Sequence, residues 1–333
     1  LYTSNLDELQ HNSSDVVNQF RTKAFEEFNK LGIPRKKNES YKYTNVEPLL
    51  SNGYKPLLKP QGLELKTEDV FTCDIPELDT HVLILANGFY YDHLNKDVDI
   101  PGVVYGSFKQ MALEHPEVIK KHYDQYTGNM DDGLVSLNTM LVQDGIFIHF
   151  PKNTVLEKPI QIVNLLISQQ ELMVQHRNLF IFDENSEGKI IICDHTLSPQ
   201  KYLSNAVTEI YTAENAHVDI TRIQNEHNDA VKISSMFFQQ EKNSRVDCNT
   251  VSLHGGLIRN NVYAKLNGEG AENNTNGLFL TDVKQHVDSY TIIEHAQPNC
   301  YSNQLFKGVL DDHSTGAFNG KIYVARDAQK TQA

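Results

Sequence analysis

The chain has 333 residues, of which 39 % are hydrophobic and 22 % charged, and its formal net charge is −13. A chain of this length buries a sizeable core without disulfides or metal ions. The acidic balance argues against sequence-independent binding to nucleic acid phosphates. The sequence contains no run of about 18 apolar residues and no basic-then-apolar leader at its start. We therefore predict a cytoplasmic protein with no membrane segment and no nucleic acid partner.

The cysteine pattern predicts a reduced protein. Four cysteines lie far apart without any C-x-x-C pair, at Cys73, Cys193, Cys248 and Cys300. This distribution favours buried, unreactive thiols over a disulfide framework or a zinc site. The chain starts at Leu1 and stops inside a patterned stretch, so we also expect it to be a fragment of a longer protein.

Residues 1–130 are predicted to form a mixed, mostly helical region. A helix is expected over residues 13–31, with Ser14 as N-cap and Gly32 at its end. The apolar run at 81–86 predicts a buried strand. A second helix should begin after the cap Ser107 and extend to about residue 126, with a bend or break at Pro116.

Residues 131–333 have a different pattern, because short strand-like runs recur between turn-forming residues. Two series indicate a repeat: Ile190, Val218 and Val246 are spaced 28 apart, and Ile181, Ile210 and Phe237 are spaced 29 and 27 apart. Two strands per repeat with weak identity are typical of a β-solenoid, or β-helix. A sandwich or barrel is the alternative. The predicted class is mainly β, with domains at 1–130 and 131–333.

The stretch 285–333 forms the last predicted coil. Its strands would leave backbone groups unpaired, so we expect either a cap or a partner subunit there. This stretch, together with Cys248 before it, contains groups that bind iron or an iron–sulfur cluster. These candidate ligands are Cys248, Cys300, His286, His295 and His313. Their spacing matches no standard ligand motif, so polar turn residues and hydrogen-bonded core histidines are the alternative interpretation.

A β-helix carbohydrate-active enzyme is the alternative function. Such carbohydrate-active lyases or hydrolases use acidic residues on adjacent coils for acid–base catalysis or calcium binding. Asp219 and Asp247 are 28 residues apart and would stack at the predicted repeat. The chain has no G-x-S-x-G nucleophile elbow and no phosphate-binding loop.

A succession of short motifs runs through the chain. They are Leu137-Asn138-Thr139, Asp144-Gly145, Pro151-Lys152-Asn153, Glu157-Lys158-Pro159-Ile160, Thr291-Ile292-Ile293-Glu294-His295, Ser302-Asn303-Gln304, Phe306-Lys307, Phe318-Asn319-Gly320-Lys321-Ile322 and Ala328-Gln329-Lys330-Thr331. In this order they resemble the SufB/SufD family, scaffold subunits of the Suf iron–sulfur cluster assembly machinery. Glu39-Ser40-Tyr41-Lys42-Tyr43-Thr44 is similar to the Glu-x-Trp-Lys-Tyr-Thr of the SufD branch, with Tyr41 in the usual Trp position.

The resemblance implies a right-handed parallel β-helix between two helical regions. It implies a non-catalytic SufD-type scaffold that pairs with a SufB-type subunit through the β-helices and supports iron delivery. A SufC-type ATPase would bind through a C-terminal region beyond Ala333, where the family's SufB-facing histidine also lies. Iron or a cluster would be held transiently by the complex and not firmly by this chain, and flavin binding in the complex stays open.

The last coil is the expected place for pairing, and a homodimer is the alternative to the SufB-type partner. The interface residues that we predict there are Ser302, Gln304, Phe306, Phe318, Gly320 and Ile322.

Overall fold

The computed structural model describes residues 1–11, 13–50, 53–63, 65, 78–127 and 132–333. Its helices are α1 (Leu6–Gln10), α2 (Asp15–Leu31), α3 (Glu47–Leu50), α4 (Asp92–Asn95), α5 (Phe108–Glu114), α6 (Pro116–His122) and α7 (Gly133–Leu141), with short 3₁₀ helices at Thr3–Asn5 and Glu39–Tyr41. Cys73 lies outside the described residues.

The strands fill most of the remaining chain. They are β1 (Lys55–Pro56), β2 (His81–Ala86), β3 (Phe89–Tyr90), β4 (Val104–Ser107), β5 (Ile146–Phe150), β6 (Ile160–Leu166), β7 (Leu172–Phe182), β8 (Glu187–Thr196), β9 (Tyr202–Thr212), β10 (His217–Asn225), β11 (Val231–Gln240), β12 (Arg245–His254), β13 (Leu257–Leu266), β14 (Glu272–Thr281), β15 (His286–His295), β16 (Tyr301–Leu310) and β17 (Thr315–Val324).

These strands form a parallel β-solenoid with two sheets. Sheet 1 has the order β17-β15-β13-β11-β9-β7-β5-β4, with β1 on β7, and sheet 2 has the order β16-β14-β12-β10-β8-β6-β2-β3. From β5 onward, consecutive strands alternate between the sheets, and each pairs in parallel with the strand two ahead. The predicted mainly β solenoid with two strands per repeat is therefore confirmed, and the sandwich or barrel alternative does not apply.

At one corner of the solenoid, each coil has one residue in the left-handed backbone conformation. These residues stack on one another and form a ladder. The positions are Asn153, Asn185, Asn215, Asn243, Gly270 and Asn299, at intervals of 32, 30, 28, 27 and 29 residues. Asparagine tolerates this conformation, and its side chain also pairs between coils. The Asn215 amide donates to Asn185 at 3.1 Å and accepts from Asn243 at 3.3 Å. The ladder keeps the corners aligned although the coils differ in length.

Unequal coil lengths explain why the spacings in the sequence give the repeat but not the exact register. Val218 and Val246 are register partners, as the 28-residue spacing predicts. The preceding coil is two residues longer, so Ile190 pairs with Ile220 instead of Val218. The members of the series Ile181, Ile210 and Phe237 reflect the repeat but are not register partners, because Ile210 pairs with Phe180 and Phe238. A shift of one residue moves a side chain to the other face of the strand.

The main core lies between the two sheets. Stacked columns such as Ile190, Ile220 and Cys248 face Phe180, Ile210 and Phe238, and all are buried. Phe150 and Phe182 stack with ring centroids 4.3 Å apart. Because each coil buries its interior side chains only against neighbouring coils, the core runs along the solenoid axis.

The N-terminal helices follow the sequence closely. Ser14 accepts a hydrogen bond from Val17 N and caps α2, and Gly32 ends this helix with φ +65°. Ser107 caps α5, and the predicted break falls at Pro116, the first residue of α6. α6 ends at His122, earlier than expected, because Asp124 takes φ +59°. The predicted strand at 81–86 is β2.

Two antiparallel contacts end the solenoid on the N-terminal side. β3 pairs antiparallel with β2, and β4 pairs antiparallel with β5. The motif Asp144-Gly145 lies at this end: Asp144 accepts from Tyr90 N, Ser107 Oγ and Lys109 N. At Gly145 a Cβ would lie 1.9 Å from the Arg177 carbonyl oxygen, so only glycine fits. These antiparallel pairs occupy strand edges that the parallel stack would otherwise leave open.

The helical region packs on the outer face of sheet 1. Asn138 on α7 donates to the carbonyls of His176 and Asn205, at 3.0 and 2.8 Å. Arg177 is fully buried and donates to Glu209 at 2.7 Å and to Asp124 at 2.9 Å. This ion cluster ties the segment after α6 to β7 and β9. Within the described residues, no helix is long and apolar enough to cross a membrane.

We expect the asparagine ladder to contribute to stability through its backbone conformation. Asn215→Ala should lower the free energy of unfolding by about 1 to 2 kcal/mol, because alanine in the left-handed region is strained and both ladder bonds are lost. Asn215→Gly keeps the conformation and should cost less. Urea unfolding followed by circular dichroism measures both. Equal losses for the two variants would show that the backbone conformation does not matter.

Candidate functional site

The last coil of the solenoid is the part of the fold left open among the described residues. β17 and β16 are the end members of their sheets. Only the beginning of β16 has a further neighbour, because Ser302 N donates to Gln332 O and Gln332 N donates to Cys300 O. The outward edge of β17 and the rest of β16 therefore present backbone groups that no described strand pairs. Such an edge is a template for another chain.

All six predicted interface residues lie in columns that are buried in earlier coils. In sheet 1, Gly320 follows Thr291, and Ile322 follows Ile293, both fully buried. In sheet 2, Gln304 follows Thr275, which is also buried. The remaining members are Ser302, Phe306 and Phe318, which follow Asn273, Gly277 and Ser289. The last coil thus displays side chains that elsewhere fill the solenoid interior.

The exposure of these residues follows from their place in the stack. Phe318 and Ile322 are 46 % and 45 % exposed, although they occupy interior columns. Phe306 and Phe318 stack on each other with ring centroids 4.2 Å apart. Gln304 is half-buried and accepts from Thr291 at 2.6 Å, whereas Ser302 is buried. An apolar surface bordered by unpaired strand edges is therefore exposed at this end.

The two cysteine candidates are buried free thiols. Cys248 lies in the core column of β12, and burial raises its pKa to about 11. Cys300 lies in the turn before β16, where its thiol donates to Gly268 O at 3.3 Å, and burial raises its pKa as well. Cys193 is buried too. Thiols in such surroundings are expected to stay protonated and unreactive. The predicted burial is confirmed for these three cysteines.

The three histidine candidates lie in different surroundings. His295 ends β15 fully buried, with Nε2 2.8 Å from Ser302 Oγ, and burial lowers its pKa. His286 begins β15 and contacts two threonine hydroxyls, those of Thr44 and Thr315. His313 is exposed in the turn before β17. Within the described residues, no group of three or more His, Cys, Asp or Glu side chains is arranged to hold a metal ion.

Asp219 and Asp247 are register partners, as their spacing predicts. The carboxylate of Asp247 is already engaged: it accepts from Arg245 Nε at 2.9 Å, Asn274 Nδ2 at 2.8 Å and His217 Nε2 at 3.0 Å. Burial and the neighbouring Asp247 raise the pKa of Asp219. A calcium ion takes six to eight oxygen ligands, and this pair offers mainly ion-pair and amide partners instead.

A buried charged cluster inside the solenoid was not predicted. Lys232 is 1 % exposed, and its ammonium lies 2.7 Å from Asp194 and 3.5 Å from Glu226, which are equally buried. Arg222 lies nearby and donates to Ser234 and Asn260. Burial raises the pKa of Glu226, whereas Lys232 and Arg222 hold that of Asp194 down. The solenoid interior therefore holds charged side chains where opposite charges lie next to each other.

A second buried centre surrounds Arg259. Its guanidinium lies between the rings of Tyr41 and Tyr290, at 4.7 and 5.0 Å. It donates to Asp288, to Asn261 Oδ1 and to the carbonyl of Ser40. The only signal in the sequence was the motif at residues 39–44, which supplies Tyr41 and Ser40 from more than two hundred positions away. Nothing in its spacing indicates Arg259.

The fold defines a class, the parallel β-solenoids, and in this chain the last strands, β16 and β17, have no further described strand beside them. Two family models match the chain. Residues 1–162 match the SufBD protein N-terminal region, and residues 165–333 match the SufBD core domain of the SUF system for iron–sulfur cluster assembly. The chain belongs to the SufBD family, as the resemblance predicts.

Curated relatives carry matching names. An iron-sulfur cluster assembly SufBD family protein of Synechocystis sp. is 27 % identical over 313 residues, which cover 91 % of this chain and 68 % of the relative. The iron-sulfur cluster assembly protein SufB of Bacillus subtilis is 23 % identical, and a SufBD family protein of Staphylococcus saprophyticus is 24 % identical. Both alignments cover 77 % of this chain but 56 % of the relative, so the chain spans little more than half of their length.

Removing the buried ammonium should be strongly destabilising. Lys232→Met leaves Asp194 and Glu226 without their cation, so the free energy of unfolding should fall by about 3 to 5 kcal/mol. The matched control is Lys242→Met, whose exposed ammonium lies 3.3 Å from Glu214. The control should cost less than about 1 kcal/mol. Chemical unfolding measures both, and similar losses would contradict a stabilising role of the buried pair.

The thiol environments predict slow modification. At pH 8 the folded protein should react with iodoacetamide at Cys248 at least about 100-fold more slowly than the denatured chain, because burial both raises the pKa and blocks access. Cys300 should also be protected. Timed alkylation with peptide mass spectrometry gives the rate for each cysteine. Rapid labelling of Cys248 in the native protein would refute its placement in the core.

Proposed function

We propose that this chain is a SufD-type scaffold subunit for iron–sulfur cluster assembly and pairs through its last coil with a SufB-type subunit. A SufC-type ATPase would be the further partner of the whole protein, and iron or a nascent cluster would be the cargo of the complex. The scaffold role involves no catalysis by this chain. Assignment to the SufD branch depends on the motif at residues 39–44.

One observation carries the proposal: the last coil displays a solenoid interior. Phe318 and Ile322 occupy columns that are fully buried one or two coils earlier, yet nearly half of each side chain is exposed. A partner that covers these columns removes apolar surface from water and pairs the strand edges at the same time. The occupant that meets both requirements is another β-solenoid with an open coil.

The identity of that second solenoid is argued from the relatives. They include a protein named SufB as well as proteins named only for the SufBD family, which supports a SufB-type chain as the second solenoid. A SufB-type chain would present a related open coil and pair end to end. Two copies of the present chain would pair by the same surface, so a homodimer is the competing outcome.

Charged substitutions in the open coil test the proposal. Phe318→Asp and Ile322→Asp should each weaken binding to a SufB-type subunit at least about 30-fold, as expected when a central apolar contact is lost. The matched control is Leu113→Asp on α5, because Leu113 is 49 % exposed and lies in the N-terminal region. Co-expression with affinity pull-down and interferometry gives the affinities, and circular dichroism checks folding.

The outcomes separate the alternatives. Unchanged binding of both open-coil variants, or equal weakening by Leu113→Asp, would overturn the assigned surface. Failure of the full-length wild-type protein to co-purify with SufB- and SufC-type subunits would overturn the scaffold role. A homodimer that the open-coil variants dissolve, without binding to a SufB-type chain, would replace the heterodimer by self-association.

A further inference from the structure

Residues 39–44, here called the strap, lie along the last strands of sheet 1. At one end, Glu39 Oε1 is 3.2 Å from Lys321 Nζ, near the middle of β17. At the other end, Thr44 contacts His286 and Asp288 at the start of β15. The strap therefore runs along β15 and β17 in the direction opposite to these strands. It links the N-terminal region to the open end of the solenoid.

The strap is attached through its buried groups. Arg259 on β13 donates to the carbonyl of Ser40 at 2.6 Å and stacks on the ring of Tyr41. The hydroxyl of Tyr41 donates to Asp132 at 2.7 Å, and Asp132 caps α7. Thr44 is 1 % exposed, as is Arg259. Breaking such buried, charge-assisted contacts leaves groups unpaired, which costs more than a surface contact.

Thr44 also connects β15 to β17 through a hydrogen-bond relay. The hydroxyl of Thr44 donates to Asp288, so its oxygen accepts from His286 Nε2 at 2.9 Å. His286 Nδ1 is then free to accept from the hydroxyl of Thr315, at 2.6 Å. Thr315 is the first residue of β17. One strap residue thus fixes the point at which the last strand begins.

The last strand has few other means of support. β17 pairs with β15 on one side, and on the other side no described strand covers it. Its side chains are mostly exposed. Outer strands with this little burial exchange and fray readily. The ion pair at Lys321 and the relay at Thr315 therefore hold β17 at two positions on the outer face of sheet 1.

We propose that the strap sets the position and order of β17, with Arg259 and Thr44 as its positioning residues, and so prepares the open coil for a partner chain. The preparation of the open coil for a partner chain rests on the proposed function, whereas the ordering of β17 does not. A docking strand that is already ordered spares the partner the conformational entropy of ordering it. The strap thereby couples the N-terminal region to association at the opposite end of the solenoid.

Hydrogen exchange with mass spectrometry tests the ordering directly. In Thr44→Val, which keeps the side-chain shape, the relay is lost and amides of residues 315–324 should exchange about tenfold faster. Arg259→Lys cannot make the same three hydrogen bonds and should act in the same direction. β9 serves as the internal reference and should be unchanged. The matched control is Arg35→Gln, which removes an exposed ion pair with Glu47 in the same region.

The exchange and the binding measurements test different parts of the proposal. Unchanged exchange of residues 315–324 in Thr44→Val, or a uniform increase that includes β9, overturns the inference. A local increase supports it. Binding to a SufB-type subunit is then measured for the same variants, and affinity should fall several-fold in Thr44→Val but not in Arg35→Gln. If β17 loosens without any loss of affinity, the preparative role is wrong; if the wild type does not bind, the proposed function fails while the ordering of β17 stands on exchange alone.

Discussion

Backbone pairing between successive coils is the constraint on which this structure depends. Every strand of a parallel solenoid needs a neighbour on both sides, so the requirement is satisfied along the stack and returns only at its ends. The two ends solve it differently. β3 and β4 pair antiparallel with β2 and β5 and occupy the N-terminal edge. At the other end, β17 and most of β16 have no described strand on their outward edges.

The interior of the solenoid contains charged side chains as well as apolar ones. Columns of Ile, Val and Phe fill the part near β5 to β12, but the ion cluster around Lys232 lies in the same space between the sheets. Charges at this depth are tolerated only with their partners in place. Such a cluster fits one register alone, whereas interchangeable aliphatic residues fit several. The polar interior therefore helps specify which coil stacks on which.

Sequence patterns identified most of the architecture because its signals are local. Caps at Ser14 and Ser107 and the break at Pro116 follow from the chemistry of one or two residues. Strand periodicity gave the solenoid, but an average period does not give the register: Ile210 pairs with Phe180 and Phe238 because coil lengths vary. The family resemblance located the motifs of the last coil, whereas the strand register showed that they lie in interior columns that no further described coil covers.

The Arg259 centre could not be predicted from the sequence, because most of its partners lie far from it in the chain, at residues 40–41 and 288–290. Tyr41 stacks on the guanidinium and donates its hydroxyl to Asp132. This distant contact also bears on how the chain folds. The contact between Thr44 and Asp288 joins residues 244 positions apart, so it closes a very long loop. We expect contacts of this sequence separation to form late in folding, after the coils between them have stacked.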